Sequence, residues 1–237
     1  MTRWRAAAAA RPRRDEGFTL AEMLVAMAIF AVLLALTMPL VLTTQKSVDT
    51  TKALDDANEE ARIALNRMAR ELRQASEIDG ATLFTTGTYA TNGYVSSLTF
   101  GADFNGNGTI EPNSSDAEIL TYRYVADPSG NGNGQIQLEA NDPSGTLVVR
   151  PILAAHVSDF HMELRSSIWQ CDSNGDGITT WQELDTNVAP CPSPDNNAVL
   201  DANELRQTDS IVVGFTVFEG THKQTYRAQI DLRNVGL

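Results

Sequence analysis

Residues 23–42 carry no charge, and a single carboxylate, Glu22, stands at the edge of that run. About 20 apolar residues wound as a helix match the roughly 30 Å hydrocarbon core of a bilayer. Glycine is absent from residue 18 through residue 79, so only Pro39 interrupts a helix over that span. Such a helix would be on the order of 90 Å long at 1.5 Å per residue. Pro39 is expected to kink it near the end of the apolar half. An ionisable group in a membrane segment is costly and marks function. A buried carboxylate needs a cationic partner or takes up a proton.

Charge orients this anchor. Arg3, Arg5, Arg11, Arg13 and Arg14 precede it, whereas residues 43–55 offer only Lys46 and Lys52 as cations. The positive-inside rule then leaves the N-terminus in the cytoplasm and exports the remainder. A cleavable secretory signal is the alternative, but its apolar core is shorter and ends at a small-residue site. Here the core is long and runs into Thr37-Met38-Pro39.

The formal net charge is -12; the leader before Phe18 makes +3, so the rest of the chain stands at -15. So acidic a body lacks the basic footprint of direct nucleic-acid binding and suits divalent cations. Cys171 and Cys191 are the only cysteines. Outside the cytoplasm they are expected to pair, for about 3 kcal/mol; two free buried thiols are the alternative.

Beyond Pro39 the pattern turns amphipathic. Leu54, Ala57, Ala61, Leu65, Met68, Leu72 and Ala75 recur at three- and four-residue steps. Arg67 and Glu71 stand at i,i+4 spacing on what reads as a solvated face. Gly80 is expected to close the helix. After it, residues 96–100, 119–125, 135–139, 157–164, 211–218 and 226–232 read as strands between Gly, Asn, Asp and Pro turns. The last two form a hairpin across residues 219–223. Ile211, Val213, Phe215 and Val217 alternate with Val212, Gly214, Thr216 and Phe218, so both faces are apolar and the strand is central.

Three acidic loops invite a hard cation. Asp172, Asn174 and Asp176 occupy positions 1, 3 and 5 of a twelve-residue EF-hand spacing. Gly177 is the turn glycine, Ile178 offers a carbonyl and Glu183 ends the loop. Calcium needs several hard oxygens converging on one point, and this spacing supplies them. Asp103, Asn105, Asn107 and Thr109 begin a second such loop, with Glu111 or Asp116 to complete the shell. Asp195, Asn197, Asp201 and Glu204 form a looser third cluster, or an extension of the Asp172 site across a Cys171–Cys191 bridge. Metal-free Asn/Asp turns are the alternative throughout. No flanking helix pair is evident, so the expected role of calcium is structural. The histidines His156, His161 and His222 fall in strand-like segments, and no hydrolase motif, P-loop or zinc-protease motif occurs. The chain reads as no enzyme.

The junction Gly17-Phe18-Thr19-Leu20-Ala21-Glu22, followed by Met23-Leu24-Val25-Ala26-Met27-Ala28-Ile29-Phe30, closely resembles the signal of type IV prepilins and pseudopilins. The resemblance implies that a prepilin peptidase cuts after Gly17 and methylates the new terminus, Phe18. Glu22 then takes the place of the family's assembly glutamate, which is thought to pair with the terminal amine of a neighbouring subunit. Asp15, Glu16 and Ala21 depart from the usual pattern around these residues.

The Arg-rich residues 61–75, the Tyr122-Arg123-Tyr124 strand, residues 153–160 and Leu232-Arg233-Asn234 are similar to the minor pilin W and minor pseudopilin J families. Pattern and resemblance together imply an α+β pilin fold, a long helix packed on an antiparallel sheet. The expected divisions are a leader at 1–17, a membrane half-helix at 18–44, an amphipathic half at 45–79 and an extracytoplasmic β-rich domain at 80–237. The implied function is that of a minor pilin-like subunit in or priming a type IV pilus filament. It would sit single-pass in the inner membrane, then in the periplasm or a cell-surface filament. Its partners would be other pilin or pseudopilin subunits, the peptidase and the assembly platform. A minor pseudopilin of type II secretion, a calcium-dependent adhesin and, less favoured, a membrane-anchored enzyme are the alternatives.

Overall fold

The computed structural model describes residues 17–112, 117–128, 134–186, 191, 196–219 and 222–232, with the side chains of 154 and 155 excepted. The chain divides into two units, Met1–Thr50 and Thr51–Leu237. One helix, α1 (Leu20–Leu72), runs through both.

Over residues 23–42 α1 is apolar on every side, and Leu24, Phe30, Leu33 and Leu40 are all exposed. It is the one helix among the described residues long and apolar enough to cross a membrane. A lipid environment leaves no water for side-chain hydroxyls. The threonines answer this within the helix: Thr37 Oγ1 donates to the Leu33 carbonyl, Thr43 to Pro39 and Thr44 to Leu40, at 2.8–2.9 Å. The helix continues unbroken through Pro39.

In the second unit the last turns of α1 bury one stripe. Ala61, Ala64, Met68 and Leu72 are closed off, with Ala57, Leu65 and Ala69 packed alongside. Small residues recur in this stripe, so the helix can lie close to the sheet. The helix ends at Leu72, not at residue 79. Residues 77–83 instead form β1 (Glu77–Leu83), and Gly80 lies inside that strand. The reason is tertiary: Ser76 N donates to the Gly101 carbonyl, and β1 pairs along the strand that follows it.

The sheet is antiparallel. After β1 come the short helix α2 (Gly87–Thr91), then β2 (Val95–Gly101), β3 (Ile119–Val125), β4 (Gly134–Asn141) and β5 (Leu147–Ser166). Next are β6 (Thr179–Thr180), α3 (Trp181–Asp185), α4 (Ala202–Gln207), β7 (Ser210–Glu219) and β8 (His222–Asp231). The order across the sheet is β1-β2-β3-β4-β5-β7-β8, with β6 appended to β5. An α+β fold of pilin type, a long helix on an antiparallel sheet, is what the structure presents.

Two strands differ from expectation. β5 is 20 residues long and begins at Leu147, well before residue 157. It pairs with β4 over its first half and with β7 over its second. Between Ser158 and His161 its register shifts, and Asp159 adopts φ 54°. A bulge of this kind bends a strand and lets it change partner. β7 lies between β5 and β8, and its residues 210–217 are all buried, in keeping with its two apolar faces. The β7–β8 turn is tighter than residues 219–223, because Glu219 pairs directly with His222.

Candidate processing junction and cation loops

Thr19 and Glu22 form the start of α1 between them. Thr19 N donates to Glu22 Oε2 at 2.9 Å, Thr19 Oγ1 donates to the same oxygen at 3.0 Å, and Glu22 N donates to Thr19 Oγ1 at 3.3 Å. This is a reciprocal capping box, in which N-cap and N3 side chains satisfy each other's amides. Thr19-x-x-Glu22 carries that signature in the sequence, and reading Glu22 only as a charge in lipid passes over it. Gly17 and Phe18 lie just outside the cap and are exposed.

The Asp172 loop winds around its first residue. Asp172 Oδ1 accepts from Gly175 N at 2.6 Å and Asp176 N at 3.2 Å, while Oδ2 accepts from Gly177 N at 2.7 Å. These amides, that of Gly177 foremost, hold the Asp172 carboxyl below the usual carboxylate range. Asn174 Oδ1 accepts from Asp176 N and Asp176 Oδ1 accepts from Ile178 N, each at 2.8 Å. Gly175 and Gly177 adopt φ 77° and 81°, a left-handed conformation that favours glycine.

Glu183 is buried. Its Oε1 accepts from Ser173 N at 3.0 Å and its Oε2 from Thr180 N at 3.0 Å. A short helix, α3, begins over the last residues of the loop, with Thr180 as its N-cap. Trp181 Nε1 then donates to the Gly93 carbonyl at 2.7 Å, which fastens α3 to the β2 side of the sheet.

Cys171 and Cys191 are joined in a disulfide with their Cα atoms 5.6 Å apart. The bond ties the start of this loop to the chain leading into the third cluster.

The Asp103 loop repeats the arrangement. Asp103 Oδ1 accepts from Gly106 N at 2.6 Å and Asn107 N at 3.2 Å, and Oδ2 from Gly108 N at 2.7 Å. Asn105 Oδ1 accepts from Asn107 N, and Asn107 Oδ1 from Thr109 N. Gly106 and Gly108 take φ 75° and 83°.

Two carboxylates close on this loop. Glu111 turns back on the loop amides, accepting from Asn105 Nδ2 at 3.1 Å and Asn107 Nδ2 at 2.8 Å. Asp116 lies outside the described residues. The group that stands where Glu183 stands in the other loop is Glu118, fully buried. Its Oε1 accepts from Asn105 N at 3.3 Å and its Oε2 from Glu111 N at 2.9 Å. Loop spacing does not reach Glu118, because β3 has to bring it back.

The third cluster is gathered in part. Asp185 Oδ1 accepts from Asn197 N at 3.0 Å and Oδ2 from Ala198 N at 2.9 Å. Asn197 Nδ2 donates to Asp201 Oδ2 at 3.1 Å, and Asp201 N donates to Glu204 Oε2 at 2.9 Å. Burial pushes the Glu204 carboxyl up to about 7. Asp195 lies outside the described residues.

These loops offer hard oxygens and the turn geometry a calcium ion uses. What they do not offer is a gathered acid cluster. Among the described residues, no three acidic, histidine or cysteine side chains come together as a metal-holding group. Asp103, Asp172 and Asp185 accept instead from backbone amides of their loops. Two of the histidines pack on rings: His161 stacks on Tyr94 with ring centroids 4.6 Å apart, and His156 meets Phe218 edge-on.

No curated protein and no solved structure matches the chain. Residues 12–38 match the family model described as the prokaryotic N-terminal methylation motif. The match spans Gly17, Phe18 and Glu22 at the head of a membrane-length helix. It supports a type IV pilin-like protein, a structural subunit whose motif implies processing by a prepilin peptidase and assembly with other pilins.

Proposed function

We propose that this chain is a minor pilin-like subunit, cut after Gly17, methylated at Phe18 and held in the inner membrane by residues 18–44 until it enters a filament. The observation that carries the reading is the junction itself. The matched methylation motif contains exposed Gly17 and Phe18 directly ahead of a capped helix whose residues 23–42 are apolar on all sides. The positive-inside asymmetry puts the arginine-rich leader in the cytoplasm and the β-domain outside. In this reading Glu22 exchanges the Thr19 amide for the terminal amine of a neighbouring Phe18 as the filament grows. Calcium is then a structural cation of the Asp172 loop. Asp172, Asn174, Asp176 and the Ile178 carbonyl would hold it, with Glu183 released from Ser173 and Thr180.

The test is affinity purification of the membrane-extracted protein followed by mass spectrometry. The expected result is an N-methylated Phe18 terminus together with pilus subunits. An unprocessed Met1 terminus would overturn the reading. A processed terminus with secretion-system subunits would replace the pilus by a type II secretion pseudopilus.

A further inference from the structure

Glu204 is the one fully buried acid among the described residues whose side chain leaves an oxygen without a hydrogen-bond partner. Its relative exposure is 0%, and its Oε1 has no partner. Burying an unsatisfied carboxylate oxygen is expensive, so such an atom calls for an explanation.

The register around Glu204 supplies one. Ile178 and Val199, Thr180 and Asp201, and Glu183 and Glu204 each stand twenty-one residues apart. The hydrogen bonds repeat at the same interval. Asp176 Oδ1 accepts from Ile178 N at 2.8 Å, and Asn197 Oδ1 accepts from Val199 N at 2.6 Å. Glu183 Oε2 accepts from Thr180 N at 3.0 Å, and Glu204 Oε2 accepts from Asp201 N at 2.9 Å. Both stretches lead into capped helices that pack on each other, α3 and α4, each with a buried leucine next to the acid, Leu184 and Leu205. The two left-handed residues recur as well: Gly175 and Gly177 in one stretch, Asn196 and Ala198 at φ 54° and 59° in the other.

One position breaks the repeat, and the fold fills it. Asp172 has no acidic counterpart twenty-one residues on, where the sequence has Ser193. Asp185, at the end of α3, takes over its part. It accepts from Asn197 N and Ala198 N, as Asp172 accepts from Asp176 N and Gly177 N. Asp185 is 4% exposed, so its carboxylate is committed to this loop.

We infer that Asp185, Asn197, the Val199 carbonyl and Glu204 form a calcium-binding loop, with the first ligand supplied from the preceding helix and Glu204 Oε1 as the open donor. Two carboxylates, an amide oxygen and a carbonyl are the donor class a hard divalent cation takes, with waters completing six to eight ligands. This site does not depend on calcium in the Asp172 loop or on the pilin reading.

The experiment is equilibrium dialysis of the full chain in detergent micelles against calcium chloride, with bound calcium counted per chain. The set comprises wild type, Glu204→Gln, Asp185→Asn, Asp172→Asn, and Asp172→Asn combined with Glu204→Gln. We expect Glu204→Gln and Asp185→Asn each to lose one calcium per chain. We expect Glu204→Gln to lose one more in the Asp172→Asn background as well, which separates this site from the Asp172 loop. Unchanged stoichiometry in both single variants, or no calcium bound by wild type, would overturn the inference and leave Glu204 as a buried protonated acid. If Glu204→Gln does not fold by circular dichroism, Asp185→Asn decides by the same count.

Discussion

The Tyr122 phenol donates to Glu71 Oε2 at 2.5 Å, a bond between the middle of β3 and the last turn of α1. Tyr122 is fully buried, and Glu71 also accepts from Arg67 Nε at 2.9 Å. The face that spacing reads as solvated is therefore a polar latch between helix and sheet. Replacing Tyr122 by Phe keeps the ring and leaves Glu71 half-satisfied. We expect the full chain in micelles to lose about 1–3 kcal/mol of unfolding free energy. Denaturant titration of Tyr122→Phe against wild type checks this, and an unchanged midpoint would remove the latch from the account.

The same tyrosine predicts an alkaline limit. Burial, followed by the adjacent Glu71 charge, pushes the Tyr122 phenol well above its ordinary value, and Tyr89 is raised to about 12, chiefly by burial. A phenol whose folded pKa exceeds its unfolded value of about 10 binds its proton more tightly when folded. The stabilisation is complete below pH 10 and is lost as pH rises through 10 toward 12. Melting temperature should therefore fall across that window, and more shallowly in Tyr122→Phe. A flat profile from pH 9 to 12 in wild type would contradict the assignment.

Glu22 caps α1 and, in the proposed reading, also carries the charge that assembly uses; different substitutions separate the two. Glutamine can still accept from Thr19 N at the N3 position, whereas alanine cannot. Both should remain substrates for cleavage after Gly17. Glu22→Ala and Glu22→Gln should both enter filaments poorly, because neither carries the charge. Immunoblots of sheared filaments provide the readout. Normal incorporation of the glutamine variant would mean that the cap, not the charge, is what assembly requires.

Gly93 is a steric as well as a conformational requirement. Its φ is 65°, and a Cβ there would come within 2.6 Å of the Gln182 side chain and 2.8 Å of Trp181 Nε1. Gly93→Ala should destabilise by about 2 kcal/mol or more, from left-handed strain plus overlap. Trp181→Phe should cost about 1–3 kcal/mol by orphaning the Gly93 carbonyl. Thermal melts of both variants test whether α3 is fastened through this contact.

Calcium, if it occupies the Asp172 loop, should raise the melting temperature of the full chain. Asp172→Ala should remove most of that rise. Scans with calcium and with chelator compare the two proteins. A chelator-insensitive melt in wild type would reject calcium as a structural ion.

Much of this fold is legible residue by residue. β3 is read with its observed limits because Ile119–Val125 is a compact β-rich run between turn-rich segments. β7 is read as central because its apolar residues occupy both faces. β1 is hidden: Glu77–Leu83 contains Gly80 and little alternation, and only pairing with β2 makes it a strand. The first half of β5 is obscured by Pro151, which interrupts an otherwise apolar run. In the loops, Asp172 and Asp103 follow from spacing, since each bonds to amides within five residues. Glu118 and Asp185 do not, since their partners depend on β3 and α3 folding back.

The sequence by itself determined the membrane-length apolar helix, its charge asymmetry, the methylation-motif junction and the loop motifs. These are local properties: helix length, charge count and turn chemistry act within a few residues of one another. Only the tertiary structure decided where α1 stops, that Glu71 meets Tyr122, and which carboxylates close the acidic loops. Those outcomes depend on which groups are brought out of water together, and that is settled by strand pairing between residues far apart in the chain.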